Sequence, residues 1–257
     1  MSAPVVVGVG GQHDDRTVRW AAVEARDLGL RLRLVHALIP PVGRRPGWTA
    51  AADPRRRRRV APDELDAAAA TAREVVPELE VETAVIGGGA AQVLREEAAH
   101  AALVVVGSDG LGRVGDLLLG GVVRGLAGHV DVPLVVVPVG YDPSAPRGDH
   151  APVLVGDDGT PGCEGAWRFA ADRAQRRGAP LVAVRVASDH VDRALLDRAR
   201  GAEVLVLGVA DAWFHHHHTT PGVVRSSACP VVVVPPLPVH RDPAEGPPVT
   251  TASPSAG

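Results

Sequence analysis

The sequence predicts an α/β fold: a Rossmann-type doubly wound parallel five-stranded sheet of order 3-2-1-4-5, duplicated, with a truncated second copy. Three observations carry that expectation. Short runs such as Val5-Val6-Val7 and Leu103-Val104-Val105-Val106 are apolar throughout and bounded by Gly or Pro, as strands buried on both faces are. Segments of helical length and period separate them in the first half, as crossovers between parallel strands require. The pattern then restarts: Pro152-Val153-Leu154-Val155-Gly156 repeats Pro4-Val5-Val6-Val7-Gly8.

Composition narrows the function classes. The 257 residues, 46% hydrophobic, suffice for one or two cores. A net charge of −3 and a pI near 6.4 argue against general binding to nucleic acid or anionic membranes. All 27 basic residues are Arg, which excludes a P-loop lysine, a Schiff-base lysine and a kinase strand lysine. Aromatics at 3% leave little for stacking on bases. Cys163 and Cys229 form no C-x-x-C and no zinc spacing, and read as small buried or half-buried thiols. No apolar run approaches the roughly 18–20 residues of a membrane span, and no basic leader precedes Val5. A cytoplasmic setting is the expectation.

In chain order, residues 5–9 read as the first strand. Gly8-Val9-Gly10-Gly11-Gln12-His13 imitates a dinucleotide fingerprint but places His13 where helix packing needs Gly or Ala. Asp14 or Asp15 caps a helix to Leu28, with Val18, Ala21, Ala22 and Ala25 on one face and Gly29 at its end. Residues 30–38 give the second strand, in which His36 reads as structural. Residues 39–61 read as a loop rich in Pro, Gly and Arg, with Arg55 to Arg59 as a solvated, mobile face. An alanine-rich helix over 63–76, a strand over 80–86 and a helix over 90–100 follow.

The chain is organised around residues 102–138. The fourth strand ends in Gly107-Ser108-Asp109-Gly110, Gly112 and Gly115 keep the next loop free of Cβ atoms, and a helix starts near Gly120. Residues 134–137 close the unit as the fifth strand. Strand end, glycine loop and helix N-terminus together make an anion site. Gly125 and Gly128 fall inside that helix and cost it about 1 kcal/mol each relative to Ala.

This stretch resembles the universal stress protein family, whose members carry G-x-x-G, nine residues and G-[S/T] after the fourth strand of a Rossmann-like sheet. Gly107 and Gly110 supply the first pair, residues 111–119 are the nine, and Gly120 is the third glycine. Gly121 stands where the family's nucleotide binders have Ser or Thr, and Gly10 stands where they have a first-strand aspartate. The resemblance implies ATP or a related adenine nucleotide as ligand. It assigns contacts to Ala37, Val106, Gly107, Ser108, Gly110, Gly120, Gly121 and Val122, with Arg113 as a further phosphate contact. It also makes the arginine-rich loop a candidate flap over phosphates. Family members pair through their last strand, which implies a homodimer or, between tandem copies, an intrachain pseudo-dimer.

The expected organisation is a first unit over 1–139, a linker over 140–151, a truncated copy over 152–237 and a disordered tail over 238–257. In the second copy Trp167 echoes Trp20, and Val204 to Gly208 repeats Leu103 to Gly107. Too few residues separate Val186 from Glu203 for a helix, a strand and a helix, so one helix near residues 191–200 is expected. Gly208-Val209-Ala210-Asp211 lacks the second glycine, although Asp158 keeps the first-strand aspartate. His215 to His218 are adjacent on one loop, which suits a solvated segment better than a metal site. The second copy thus reads as a structural partner.

Three functional readings follow: a stress-associated nucleotide-binding protein, a non-binding interaction module of the same family, and an enzyme. No nucleophile–base pair or metal triad is visible, and Asp109 and Asp116 alone define none. No enzymatic activity is expected, slow ATP hydrolysis having no residue here to support it.

Overall fold

The computed structural model describes residues 2–10, 14–38, 54–108, 121–145, 151–157, 159, 161–185, 191–208, 223–224 and 226–237. The first copy contributes β1 (Val5–Val9), α1 (Asp14–Leu28), β2 (Leu32–Leu38), α2 (Pro54–Val75), β3 (Val81–Gly87), α3 (Ala90–Ala98), β4 (Leu103–Gly107), α4 (Gly121–Leu126) and β5 (Leu134–Val137). The second contributes β6 (Val153–Asp157), α5 (Glu164–Arg177), β7 (Leu181–Arg185), α6 (Val191–Ala199), β8 (Val204–Gly208) and β9 (Val231–Val234).

All nine strands join one sheet in the order β3-β2-β1-β4-β5-β9-β8-β6-β7. The first five are parallel and lie in the expected order 3-2-1-4-5. The two last strands pair with each other, antiparallel, with Leu134 opposite Val233 and Val136 opposite Val231. Beyond that junction the second copy runs the other way, its strands again parallel among themselves. An exposed row of backbone N–H and C=O groups on β5 would invite association, and β9 covers it.

Runs of valine explain why the sheet is central. In β1, β4, β5, β8 and β9 alternate side chains enter opposite cores, so nearly every residue is buried. One core packs α1, α2 and α5 against the sheet, through Trp20, Ala21, Leu65, Ala69, Ala166 and Ala170. The other packs α3, α4 and α6, through Leu94, Val123, Leu126, Leu195 and Ala199. Each wholly buried Val or Leu contributes about 1.5–3 kcal/mol. Among the described residues the second copy has no counterparts of β3 and α2. Its α6 belongs to the α3 face, and β7 is left as an edge with Leu181 and Ala183 exposed, whereas Leu32 and Leu34 of β2 are fully buried.

Two expectations need correction. Arg55 to Arg59 are not in a loop: α2 begins at Pro54 and carries them in its first turns. Proline suits a first helical turn, where its missing N–H is not required, and arginine is a good helix former. Pro62 lies inside this helix and removes one intrahelical hydrogen bond without ending it. Gly128 is not inside α4 but beyond it, at φ +72, where a left-handed residue terminates a helix. Gly125 does lie in α4, for a packing reason: a Cβ there would stand 2.6 Å from the Cβ of Ala91 on α3. The short third and fourth helices approach this closely because position 125 has no side chain.

Candidate functional site

The carboxyl ends of β1 and β4 lie side by side where the strand order reverses, so the connections leaving them pass to opposite faces. A crevice opens at such a point in a doubly wound sheet. Gly10 leaves β1 at φ +146, a conformation that L side chains rarely adopt. A Cβ on it would stand 3.4 Å from His36 Cε1 and 3.5 Å from Nδ1. His36 projects from β2 toward α2, where its Nδ1 lies 3.3 Å from Glu64 Oε2. An imidazole and a carboxylate therefore flank the end of β1.

On the other face of β2, Ala37 is half-buried against the α3–α4 core and pairs in register with Ile86. Val106 and Val122 are buried in that same core, so only their backbone is available to a ligand. Gly107 ends β4, opposite Val137 of β5. Ser108 is tied into the sheet: its N–H donates to the Val137 carbonyl at 2.9 Å, and its hydroxyl accepts the Val139 N–H at 3.0 Å. Gly121 opens α4, and among the described residues nothing beyond its chain neighbours and its own helix lies within 4 Å of where its Cβ would stand. Gly110, Arg113 and Gly120 lie outside the described residues. So do Asp109, Asp116, Asp158 and His215 to His218. Among the described residues no group of His, Cys, Asp and Glu could hold a metal ion.

His36 and Glu64 are the pair that sequence reasoning did not assemble. His36 was visible at the end of its strand, but Glu64 had no visible link to it, because a loop was expected just ahead of it.

The corresponding end of the second copy is built differently. A 3-10 turn, Pro161–Cys163, precedes α5. Its backbone packs directly on Gly208, the counterpart of Gly107: a Cβ at 208 would meet the Gly162 carbonyl oxygen at 2.7 Å and Cys163 Cα at 3.2 Å. The Cys163 thiol is buried and directed at the Gly156 carbonyl, 3.8 Å away. Asp157 turns back locally, accepting the Gly159 N–H at 2.9 Å.

A second polar cluster joins the copies on the α1–α5 face. Arg173 of α5 is fully buried and donates to Glu24 of α1 and, at 2.9 Å, to Glu203. Its guanidinium lies 5.2 Å from the centroid of the Trp20 ring. Burial works against the charged form, but Glu24 and Glu203 outweigh it and hold the guanidinium pKa above its ordinary value. Arg177 adds a pair to Asp27 at 2.8 Å. Alongside the β5–β9 pairing, this is what fixes one copy against the other.

The model of the universal stress protein family matches residues 1–138 and 151–218. Among curated proteins, universal stress protein Rv1996 of Mycobacterium tuberculosis is 34% identical over 202 residues, covering 72% of this chain and 63% of its own. Universal stress protein Rv2005c of the same organism is 34% identical over 195 residues, covering 72% and 64%. This chain thus spans under two thirds of the length of these relatives. Among solved structures, a universal stress protein from Archaeoglobus fulgidus DSM 4304 superposes with a TM-score of 0.61 at 14% identity, covering 90% of this chain and 98% of its own.

Proposed function

This chain belongs to the universal stress protein family, and from that premise we propose that its first copy binds an adenine nucleotide, ATP or a close relative. The observation that carries the reading is the switch point between β1 and β4, with glycine at both strand ends and the next described helix, α4, opening at Gly121. Backbone N–H groups at a glycine turn and a helix start suit phosphate oxygens. The residues present fit such a ligand. Among the described residues nothing beyond its chain neighbours and its own helix lies within 4 Å of a Cβ at position 121, and Ala37 is a small side chain at the end of β2. In this reading Gly107, Gly110, Gly120 and Gly121 meet the phosphates through their backbone, and Arg113 adds charge. Ala37 flanks the base, and Val106 and Val122 shape the crevice from below. Ser108 acts indirectly, holding the end of β4 against the segment after β5.

The protein acts in this reading by binding, not by catalysis, and its last strands are engaged with each other within the chain. Among the described residues no helix is long and apolar enough to cross a membrane. The test is calorimetric titration of the purified chain with ATP and AMP, repeated on Gly121→Asp. That substitution has room to fold and places a carboxylate against the phosphates. One-site binding that Gly121→Asp weakens at least tenfold supports the proposal. No heat and no change in melting temperature with either nucleotide would favour the interaction module, which Gly10 and Gly121 also suit, since neither supplies a polar side chain.

A further inference from the structure

A cavity of about 560 Å³ lies on the α1–α5 face, at the junction of the two copies and away from the β1–β4 crevice. Neither copy forms it alone. The first supplies Trp20 and Arg19 from α1 and Tyr141 from the segment after β5, and the second supplies Arg173, Arg177 and Glu203. Its volume is within the range of about 300–1,000 Å³ typical of small-molecule sites.

Three features of its wall specify a ligand. The charged residues that line it are Arg19, Arg173, Arg177 and Glu203. Glu203 is shared by Arg173 at 2.9 Å and Arg177 at 3.4 Å, while Glu74, Glu24 and Asp27 meet the three arginines from outside the lining. Two nearly buried aromatic side chains, Trp20 and Tyr141, line it together with Val23 and Val75. Finally, the wall contains a buried donor with no acceptor. Arg173 directs Nη1 to Glu24 and Nη2 to Glu203, while its Nε is buried and has no hydrogen-bond partner among the described residues. Native structures rarely leave such a donor unmet, and it favours an occupant that brings an acceptor.

We propose that this cavity between the copies is a second ligand site, distinct from the nucleotide crevice, that takes a small aromatic anion: a one- or two-ring carboxylate or sulfonate. The ring system lies among Trp20, Tyr141 and the valines, and the anionic group faces Arg19, Arg177 and the Nε edge of Arg173. Both copies contribute to it, so a ligand here binds the joined state of the chain in preference to one in which the copies have separated.

The experiment uses 1-anilinonaphthalene-8-sulfonate as probe, with its neutral counterpart N-phenyl-1-naphthylamine as control, both followed by fluorescence on the intact chain. Two variants avoid disturbing the buried pair. Ser144→Trp adds bulk at the exposed rim of the cavity, and Arg19→Ala removes a guanidinium that pairs with the exposed Glu74. The expected result is one sulfonate site per folded chain, weakened at least tenfold by Ser144→Trp and about threefold or more by Arg19→Ala. The neutral probe binds at least tenfold more weakly, and saturating ATP leaves the sulfonate in place. Sulfonate affinity unchanged in both folded variants would overturn the proposal, as would equal binding of the neutral probe. Displacement by ATP in parallel with nucleotide binding would assign the probe to the crevice instead and also overturn it.

Discussion

The two copies place the same strand–glycine turn at the same point of the same sheet, and the second packs its own backbone directly on it. In the second copy the Pro161–Cys163 turn rests on Gly208, so the glycine there serves packing. In the first, among the described residues, nothing beyond its chain neighbours and its own helix lies within 4 Å of a Cβ at Gly121, the start of α4. A glycine motif therefore has two physical uses, close approach of the protein's own backbone or access for a ligand. The space around the missing Cβ distinguishes them. Among the described residues the second copy also has no counterparts of β3 and α2, and it is joined to the first by β9 and by the buried Arg173.

The largest expected effect comes from breaking that join. Arg173→Met leaves Glu24 buried with, among the described residues, Arg176 as its remaining basic neighbour at 3.8 Å, and removes the contact with Trp20. We expect a loss of about 3–5 kcal/mol in urea denaturation, typical of removing one partner of a buried pair. Arg173→Met with Glu24→Leu should recover most of it, because the stranded charge is gone. A single-variant loss below about 1 kcal/mol would show that the β5–β9 pairing alone holds the copies together.

The next effect tests the glycine of the second copy. Gly208→Ala forces a Cβ against a backbone oxygen at 2.7 Å, and backbone cannot rotate away as a side chain can. A loss of about 1–3 kcal/mol is expected, read as a lower urea midpoint at unchanged slope. Gly121→Ala, in open space, should instead gain up to about 1 kcal/mol from helix propensity. Equal effects at the two positions would erase the contrast between the copies.

Most of the fold was legible because its signals are local. Apolar runs rich in Val and bounded by Gly or Pro marked β1, β4, β5, β6, β8 and β9, and the short interval before Val204 foretold the single helix α6. The start of α2 was not legible, since a run of five arginines and a proline resembles a solvated loop until tertiary contact with α1 and β2 supports a helix. The site was legible in part. Glycine spacing located the crevice, but the His36–Glu64 pair joins residues from different elements, and no periodicity encodes it. The backbone at Gly10 was also hidden. From sequence it looks like a lost aspartate that could be restored, yet at φ +146, with His36 at 3.4 Å, Gly10→Asp is strained. We expect that variant to lose about 1–3 kcal/mol of stability rather than simply regain an acceptor, which thermal or urea denaturation would detect.

The smallest effect expected bears most directly on the first copy. Gly121→Ser adds a hydroxyl at the start of α4, where no described residue beyond its chain neighbours and its own helix lies within 4 Å of the Cβ position. Serine is a better helix residue than glycine by a few tenths of a kcal/mol, so the melting temperature should hold or rise slightly. If phosphates lie against this helix start, the hydroxyl donates one hydrogen bond to a charged oxygen, worth about 1.5 kcal/mol at the low end. Adenine nucleotide affinity should then increase roughly tenfold by calorimetry. The gain should appear with ATP and diminish with adenosine, which has no phosphate to accept the bond. A folded Gly121→Ser protein with unchanged ATP affinity would mean that the helix start does not face the phosphates. The first copy would then resemble the second in using its glycines for packing, and the interaction module would become the better reading of the whole chain.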